Sequence, residues 1–386
     1  MVRAVCLVAF AVIGLINVQA QEYAITDVGT LGGRNSEALG LNDLGQVVGW
    51  SHDLYGVRSP YIWNDGRIQQ LNRLGHNVDF RAIAINNHGQ SCGYYGGNSY
   101  NYNSALTWHD LVLTILEPFP GNRGSRALDI NDAGDIVGGA ITITGKQRAA
   151  LWTTDGIRDL SLPLDPLSSR KREATAINNV GQIVVVVEGY CTYCETTYLW
   201  QDGEAVKLFE YAAYGKDIND HGTIVGYWPT GRMILHAFIW DHGVDYDIGK
   251  LPGDSDACAF AVNENNIVVG TSYSPTWGDR AFVWDGVMAD LNDRIPEDSD
   301  WFLQEAFDIN VHGQIVGYGL KPDGETRGYL LTPLFSQPEV SMLSLFVGCL
   351  SGPYPDSPAE CELFDFNDSG TIDLEDFAYF QRRYRD

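Results

Sequence analysis

The stretch Ile218-Asn219-Asp220-His221-Gly222-Thr223-Ile224-Val225-Gly226, followed by His236-Ala237-Phe238-Ile239-Trp240, decides the fold. Asn219 and Gly222 both tolerate a positive φ, as a tight hairpin turn requires, and the β-branched residues around them suit strands. The phrase returns around Asn42, Asn86, Asn131, Asn178, Asn263 and Asn310, so that seven asparagines stand 44, 45, 47, 41, 44 and 47 residues apart. In the sixth copy Asn266 replaces the turn glycine, and asparagine is the next most tolerant residue of that conformation.

A period near ~45 residues is that of a four-stranded propeller blade. In the first copy the pattern places strand a at 37–41, strand b at 46–51, strand c at 60–63 and strand d at 67–71. A strand c tryptophan recurs at Trp63, Trp108, Trp152, Trp200, Trp240 and Trp284. The seventh copy stops at 329–333 without a fourth strand, while residues 23–28 read as a strand d with no blade of its own. The expectation is an all-β, seven-bladed β-propeller of four-stranded blades over 21–333, closed by the N-terminal strand so that no sheet edge stays open. A linker over 334–339 and a small α-helical calcium-loop tail over 340–386 follow.

The repeats resemble the HAF family of bacterial extracellular repeat proteins, whose phrase runs roughly Ala-x-x-Ile-Asn-x-x-Gly-x-Ile-Val-Gly and then His-Ala-Phe-x-Trp. His236 to Trp240 match the second half completely, and Ala281-Phe282-Val283-Trp284 lacks only the histidine. The resemblance covers 23–333. It implies an exported propeller-like protein and no settled biochemical activity.

Fifty acidic against 25 basic residues give a net charge of −25, which opposes nucleic-acid binding because a polyanion needs clustered Lys and Arg. The 42 glycines among 386 residues fit a turn-rich β protein. Residues 1–20 read as a signal peptide, with Arg3, an apolar run over 4–16 and small residues before the cleavage point. No later apolar run approaches the ~20 residues of a membrane helix. The chain is therefore expected to be secreted, extracellular or at the cell surface, without membrane insertion.

Six cysteines follow the signal, where disulfides persist. Cys191 and Cys194 read as a loop disulfide, half a zinc site or free thiols, Cys349 and Cys361 are candidates for a second bridge, and Cys92 and Cys258 read as small core residues.

A residue present in nearly every copy is scaffold, so function belongs where the copies differ. Alternating strand direction puts the b–c and d–a connections on one face of the disc. The b–c connections carry Tyr55, Tyr95, Tyr100, Tyr102, Tyr190, Tyr193, Trp228, Tyr273 and Trp277, flat rings with polar tips suited to stacking on sugars or anchoring a protein surface. The d–a connections add Arg34, Arg123, Arg126, Arg170 and Arg172 early and Asp254, Asp256, Glu297, Asp298 and Asp300 late. No nucleophile elbow, His-Glu-x-x-His or phosphate-cradling loop occurs. The first reading is a non-catalytic binder of a polysaccharide or an extracellular protein. The alternative is a polysaccharide-active enzyme, a glycoside hydrolase or lyase with two carboxylates across the channel.

In the tail, 365–376 place oxygen donors at loop positions one (Asp365), three (Asn367), five (Ser369), nine (Asp373) and twelve (Asp376), with Gly370 at the sharp turn and the Thr371 carbonyl at seven. These are the positions of a calcium loop, so calcium is the expected cofactor. The segment resembles a type I dockerin, which implies a cohesin-like partner, although dockerins usually carry two loops and this chain has one. Calorimetric titration is expected to show one calcium site that both Asp365→Ala and Asp376→Ala abolish. Undiminished uptake in both variants would refute the assignment.

Overall fold

The protein is described by a computed structural model that covers residues 22–334, apart from 76–77, 97–102, 122–123, 143–145, 161, 163–170, 190–193 and 231–233. The linker, the calcium loop and the signal segment lie outside the described residues. Tyr23 to Pro333 form one compact unit, and no helix among the described residues is long and apolar enough to cross a membrane.

Seven four-stranded sheets follow one another along the chain. Their innermost strands are Gly32–Leu41, Phe80–Ile85, Gly124–Ile130, Arg172–Ile177, Tyr214–Ile218, Asp256–Val262 and Phe302–Ile309. In the seventh sheet the order is Phe302–Ile309, Ile315–Leu320, Thr326–Leu334 and then Glu22–Asp27, so the first strand of the chain completes the last blade. The Val28 N–H also donates to the Gly328 carbonyl at 3.1 Å. Closure therefore occurs where the missing strand indicates. The strands of the first blade run longer than the pattern of polarity shows: strand a is Gly32–Leu41, b is Val47–Asp53 and c is Arg58–Asn64, because backbone pairing continues past the last apolar residue.

The turns between strands a and b explain the repeated phrase. Gly45, Gly89, Gly134, Gly181, Gly222 and Gly313 all adopt φ between +73° and +83°, and Asn266 adopts +58° in the sixth blade. Each turn asparagine is 3–5% exposed, and its Oδ1 accepts the backbone N–H four residues on, as Asn42 does from Gln46 at 2.9 Å. Its Nδ2 reaches the neighbouring blade. Asn42 donates to the Asn86 carbonyl, Asn86 to Asn131, Asn131 to Asn178, Asn178 to Asn219, Asn219 to Asn263, Asn263 to Asn310 and Asn310 back to Asn42, at 2.9–3.2 Å. The asparagines are a circular scaffold, as their recurrence implies.

Every innermost strand also carries a β-bulge at one shared position. The register shifts between Ala38 and Gly40, Ala82 and Ala84, Ala127 and Asp129, Ala174 and Ala176, Gly215 and Asp217, Ala259 and Ala261, and Ala306 and Asp308. The residue before each bulge is alanine or glycine with no measurable exposure where alanine, which lets adjacent sheets approach. In six blades the glycine ending the Val-Gly phrase lies so close to strand a that an added Cβ would sit about 2 Å from a carbonyl, that of Arg126 for Gly138 and Tyr214 for Gly226.

Replacing Asn178 by Asp removes the donor to the Asn219 carbonyl and sets one acceptor against another. Urea unfolding is expected to show a loss of about 2 kcal/mol, and no measurable loss would contradict the role given to this ring.

Candidate ligand-binding channel

The innermost strands enclose an axial channel whose two ends differ in chemistry. At the turn end a collar lies beside the asparagine ring. The Asp43 N–H donates to Asn87 Oδ1, Asn87 N–H to Asp132, Asp132 N–H to Asn179, Asn179 N–H to Asp220, Asp220 N–H to Glu264 and Val311 N–H to Asp43, at 2.7–3.1 Å. The mouth they surround has a volume of about 180 Å³, room for several waters. Much of its polar chemistry is already spent on holding blades together.

One step deeper stand Asp129, Asp217 and Asp308, in the third, fifth and seventh blades, where the other blades have Gly40, Ala84, Ala176 and Ala261. The Asp129-Ile-Asn-Asp sequence resembles the start of a calcium loop, yet its carboxylate is a staple. Asp129 accepts the N–H groups of Ile130 and of Ile177 in the next blade, at 2.8 and 2.7 Å. Asp217 does the same for Ile218 and Val262, and Asp308 for Ile309 and Leu41, at 2.7–2.8 Å. Burial raises all three carboxyls; Asp217 raises Asp129 and Asp308 further, and Glu264 raises Asp217, so that Asp217 is pushed up to about 6 and Asp308 to about 7 against the pull of the N–H donors. Among the described residues no group of three His, Cys, Asp or Glu is arranged to hold a metal.

The half of the channel nearer the b–c and d–a loops is different in kind. The bulged residues are Leu39, Ile83, Leu128, Thr175, Lys216, Phe260 and Phe307, and five residues before each asparagine come Glu37, Arg81, Arg126, Glu173, Tyr214, Cys258 and Glu305. All fourteen are half-buried, as expected of side chains enclosed by protein but bordering a lumen. Phe260 and Phe307 stack with centroids 5.8 Å apart, and Tyr214 stacks on Tyr227 at 5.2 Å. The Lys216 ammonium lies 4.9 Å from the Tyr214 ring centre and 5.6 Å from that of Phe260, with the Arg126 guanidinium 4.7 Å from Tyr94. Tyr318 donates to Glu305 at 3.0 Å and Trp50 Nε1 to Glu37 at 2.9 Å.

Enclosure sets the charges. Burial lowers Lys216 from the ordinary lysine range despite the attraction of Cys258, Glu173 and Glu305. It pushes Glu173 and Glu305 up to about 7, Lys216 working in the opposite direction on both. Burial lowers Arg126, and neighbouring Arg81 lowers it further.

Of the nine loop aromatics, Tyr100, Tyr102, Tyr190 and Tyr193 lie outside the described residues. Tyr55, Tyr273 and Trp277 are exposed, at 87%, 46% and 69%, although Tyr273 belongs to the strand Val268–Ser274 rather than to a loop. Trp228 is not a loop residue. It belongs to the strand Ile224–Pro229, is buried, and stacks on Phe238 at 4.8 Å because it faces an adjacent cluster of Phe209 and Tyr211. Tyr95 ends a strand and stacks on Phe80 at 5.1 Å. Arg34, Arg126, Arg172 and Asp256 belong to innermost strands rather than to connections. Cys92 is a core residue as expected, whereas Cys258 borders the channel; both are free thiols. Cys191, Cys349 and Cys361 lie outside the described residues, and Cys194 is not among the free thiols. The channel set lies on strands, where a change of polarity does not by itself mark a lumen. The position five before each asparagine still changes from blade to blade, as the loops do.

Because Glu173, Glu305, Asp217 and Asp308 are raised, the folded chain holds more protons than the unfolded one between about pH 4 and 7. Stability is then greatest at the acid end of that window and falls as pH rises through the folded values. Urea midpoints are expected to drop between pH 5 and 8, less steeply in the Glu173→Gln, Glu305→Gln double variant. A midpoint that rises over this range would contradict the raised values.

No family model matches the chain, and no curated protein matches it, so the HAF and dockerin resemblances rest on their motifs alone. Solved structures do match. The β-propeller domain of the trilobed protease from Pyrococcus furiosus, described as having an open velcro topology, aligns over 78% of this chain and 94% of its own with a TM-score of 0.52 and 13% identity. Puromycin hydrolase aligns over 78% of this chain and 52% of its own, with a TM-score of 0.53 and 14% identity. The acylaminoacyl peptidase of Pyrococcus horikoshii aligns over 82% and 54%, at 0.51 and 14%. At these identities the likeness is one of fold: the chain is a seven-bladed β-propeller.

Proposed function

We propose that the protein is a secreted, non-catalytic binding propeller that holds a glycan or an extracellular protein at the loop-side end of its channel. The observation that carries this reading is where the blades cease to be alike. Turn asparagines, bulges and small packing residues recur around the ring, while the loop-side lining changes from blade to blade and gathers aromatic faces, carboxyls and cations. Aromatic faces beside hydrogen-bonding groups suit polar ligands with apolar patches, of which sugars are the clearest case. Exposed Tyr55 and Trp277 belong to b–c segments on the loop side, and exposed Tyr273 lies next to the end of the strand that leads into one. In the same proposal the calcium loop of Asp365, Asn367, Ser369, Thr371, Asp373 and Asp376 orders the tail for attachment or assembly, to a cohesin-like partner or another.

A second reading has its own observation. Glu173 and Glu305, both pushed up to about 7, flank Lys216 electrostatically, and a carboxyl that titrates near neutrality suits general acid–base work. On that reading the chain degrades a polysaccharide.

A glycan array probed with the mature protein, with and without EGTA, followed by product analysis on each retained glycan, tests both. Binding without products, weakened at least tenfold by Phe307→Ala, supports the first reading. Cleavage abolished by Glu305→Gln supports the second and overturns the first. No retention by any glycan or secreted protein fraction counts against both.

A further inference from the structure

We propose that the groove between the first and second blades, on the turn face of the disc, is a second binding site, independent of what the channel holds. Its ligand is a neutral saccharide whose ring covers an apolar floor and whose hydroxyl groups meet Ser91 and Gln46.

The groove has a volume of about 500 Å³, within the ~300–1,000 Å³ of small-molecule sites. Its walls come from strands c and d of the first blade, the a–b turns of both blades and the c–d turn of the second. Three residues that line it depart from the pattern of the other blades. Ser91 begins strand b of the second blade, where the other six have the buried Val47, Ile136, Ile183, Ile224, Val268 and Ile315. At 1% exposure the serine gives up the volume of an aliphatic side chain and brings a hydroxyl to the groove. Thr107 bonds to the Ser91 carbonyl, at 2.9 Å, and the Ser91 hydroxyl has no hydrogen-bond partner among the described residues. Leu111 stands in the c–d turn of the second blade at φ +65°, where five other blades have a glycine. A bulky side chain in the left-handed region is strained, and this one lines the cavity and packs against the cluster of Leu71 and Trp108. Gln46 spends its Oε1 on the Asn42 amide at 2.8 Å, but its Nε2 has no partner among the described residues. By contrast Gln90, Gln182 and Gln314 donate theirs to strand c of their own blades. The Gln46 Oε1 lies 3.5 Å from the point where a Cβ on Gly89 would stand, so the glutamine sits against the turn of the next blade.

The lining selects the class of ligand. Buried Leu71 and Trp108 and half-buried Ile62 belong to one apolar cluster. Trp108 has already given its N–H to the Asn72 carbonyl at 2.7 Å, so it offers ring surface alone. A wholly apolar ligand leaves the Ser91 hydroxyl and the Gln46 amide unpaired, and an ion pressed against this floor loses its hydration without a counter-charge. The charged residues Arg67 and Asp110 are exposed at the rim. A pyranose ring meets both demands, with a C–H face for the floor and hydroxyl groups around its edge that both donate and accept.

An array of neutral mono- and disaccharides, carrying an acidic oligosaccharide and a proline-rich peptide alongside, tests the assignment on the full chain, with calorimetric titration of each sugar retained. The expected result is retention of at least one neutral saccharide. Ser91→Ile, which restores the residue type of the other blades, is expected to lower its affinity at least tenfold with a melting temperature no lower than that of the parent chain, while Phe307→Ala in the channel changes it less than twofold. Should Ser91→Ile melt early, Ser91→Ala keeps the space, removes only the hydroxyl, and is expected to cost several-fold in affinity. Binding that Phe307→Ala removes and Ser91→Ile spares overturns the groove and leaves the channel reading standing. Preference for the acidic oligosaccharide or the peptide overturns the neutral-saccharide assignment, as does the retention of no neutral sugar.

Discussion

The fold depends on one hydrogen bond made seven times: a turn asparagine donates its amide to the corresponding carbonyl of the next blade. The same amide oxygen caps its own turn, so a single side chain fixes both the hairpin and its neighbour. A buried amide left without partners costs more than the bond itself supplies, which makes the arrangement all-or-none around the circle. It also sets the diameter of the channel, because each bond spans one boundary between blades. The outer collar repeats the device from the following residue, with a gap where Glu264 should meet a side-chain acceptor and finds Val311. There Asn265 reaches the Val311 carbonyl instead, at 3.2 Å.

Against this regular frame, the three channel aspartates read as reinforcement placed with care. Each ties its blade to the next, and none has an aspartate at the matching position in an adjacent blade. Carboxyls that share an enclosed space repel unless they are spaced or protonated, and both effects are visible: alternate blades carry the charge, and burial raises all three groups. The loop-side layers have no such regularity. Their chemistry varies from blade to blade, although Thr175 still reaches the Gly215 carbonyl of the next blade at 3.0 Å.

Much of this was legible in the sequence, for reasons that differ by residue. Blade number and ring closure follow from the spacing of Asn42 through Asn310 and from the unpaired strand pattern at 23–28, since a period and a missing element survive any uncertainty in strand ends. The left-handed conformation at Asn266 follows from its alignment with six glycines. Trp228 misled because a strand end and a loop start look alike in composition, and only the stack on Phe238 places it in the core. The bulge was invisible. One extra residue per strand breaks the alternation that a reader of polarity relies upon, and it is this shift that brings Lys216 and Phe307 into the layer beside the channel.

The pairing of 22–27 with 326–334 reaches further than architecture. As the polypeptide emerges during synthesis, its opening strand has no partner until some three hundred residues have been made, so the circle cannot be completed in the order of translation. Earlier blades must wait as an open arc with one hydrogen-bonding edge at each end, and long-range pairing of this kind is slow to form. That delay makes the last blade the final part of the ring to gain its full set of strands.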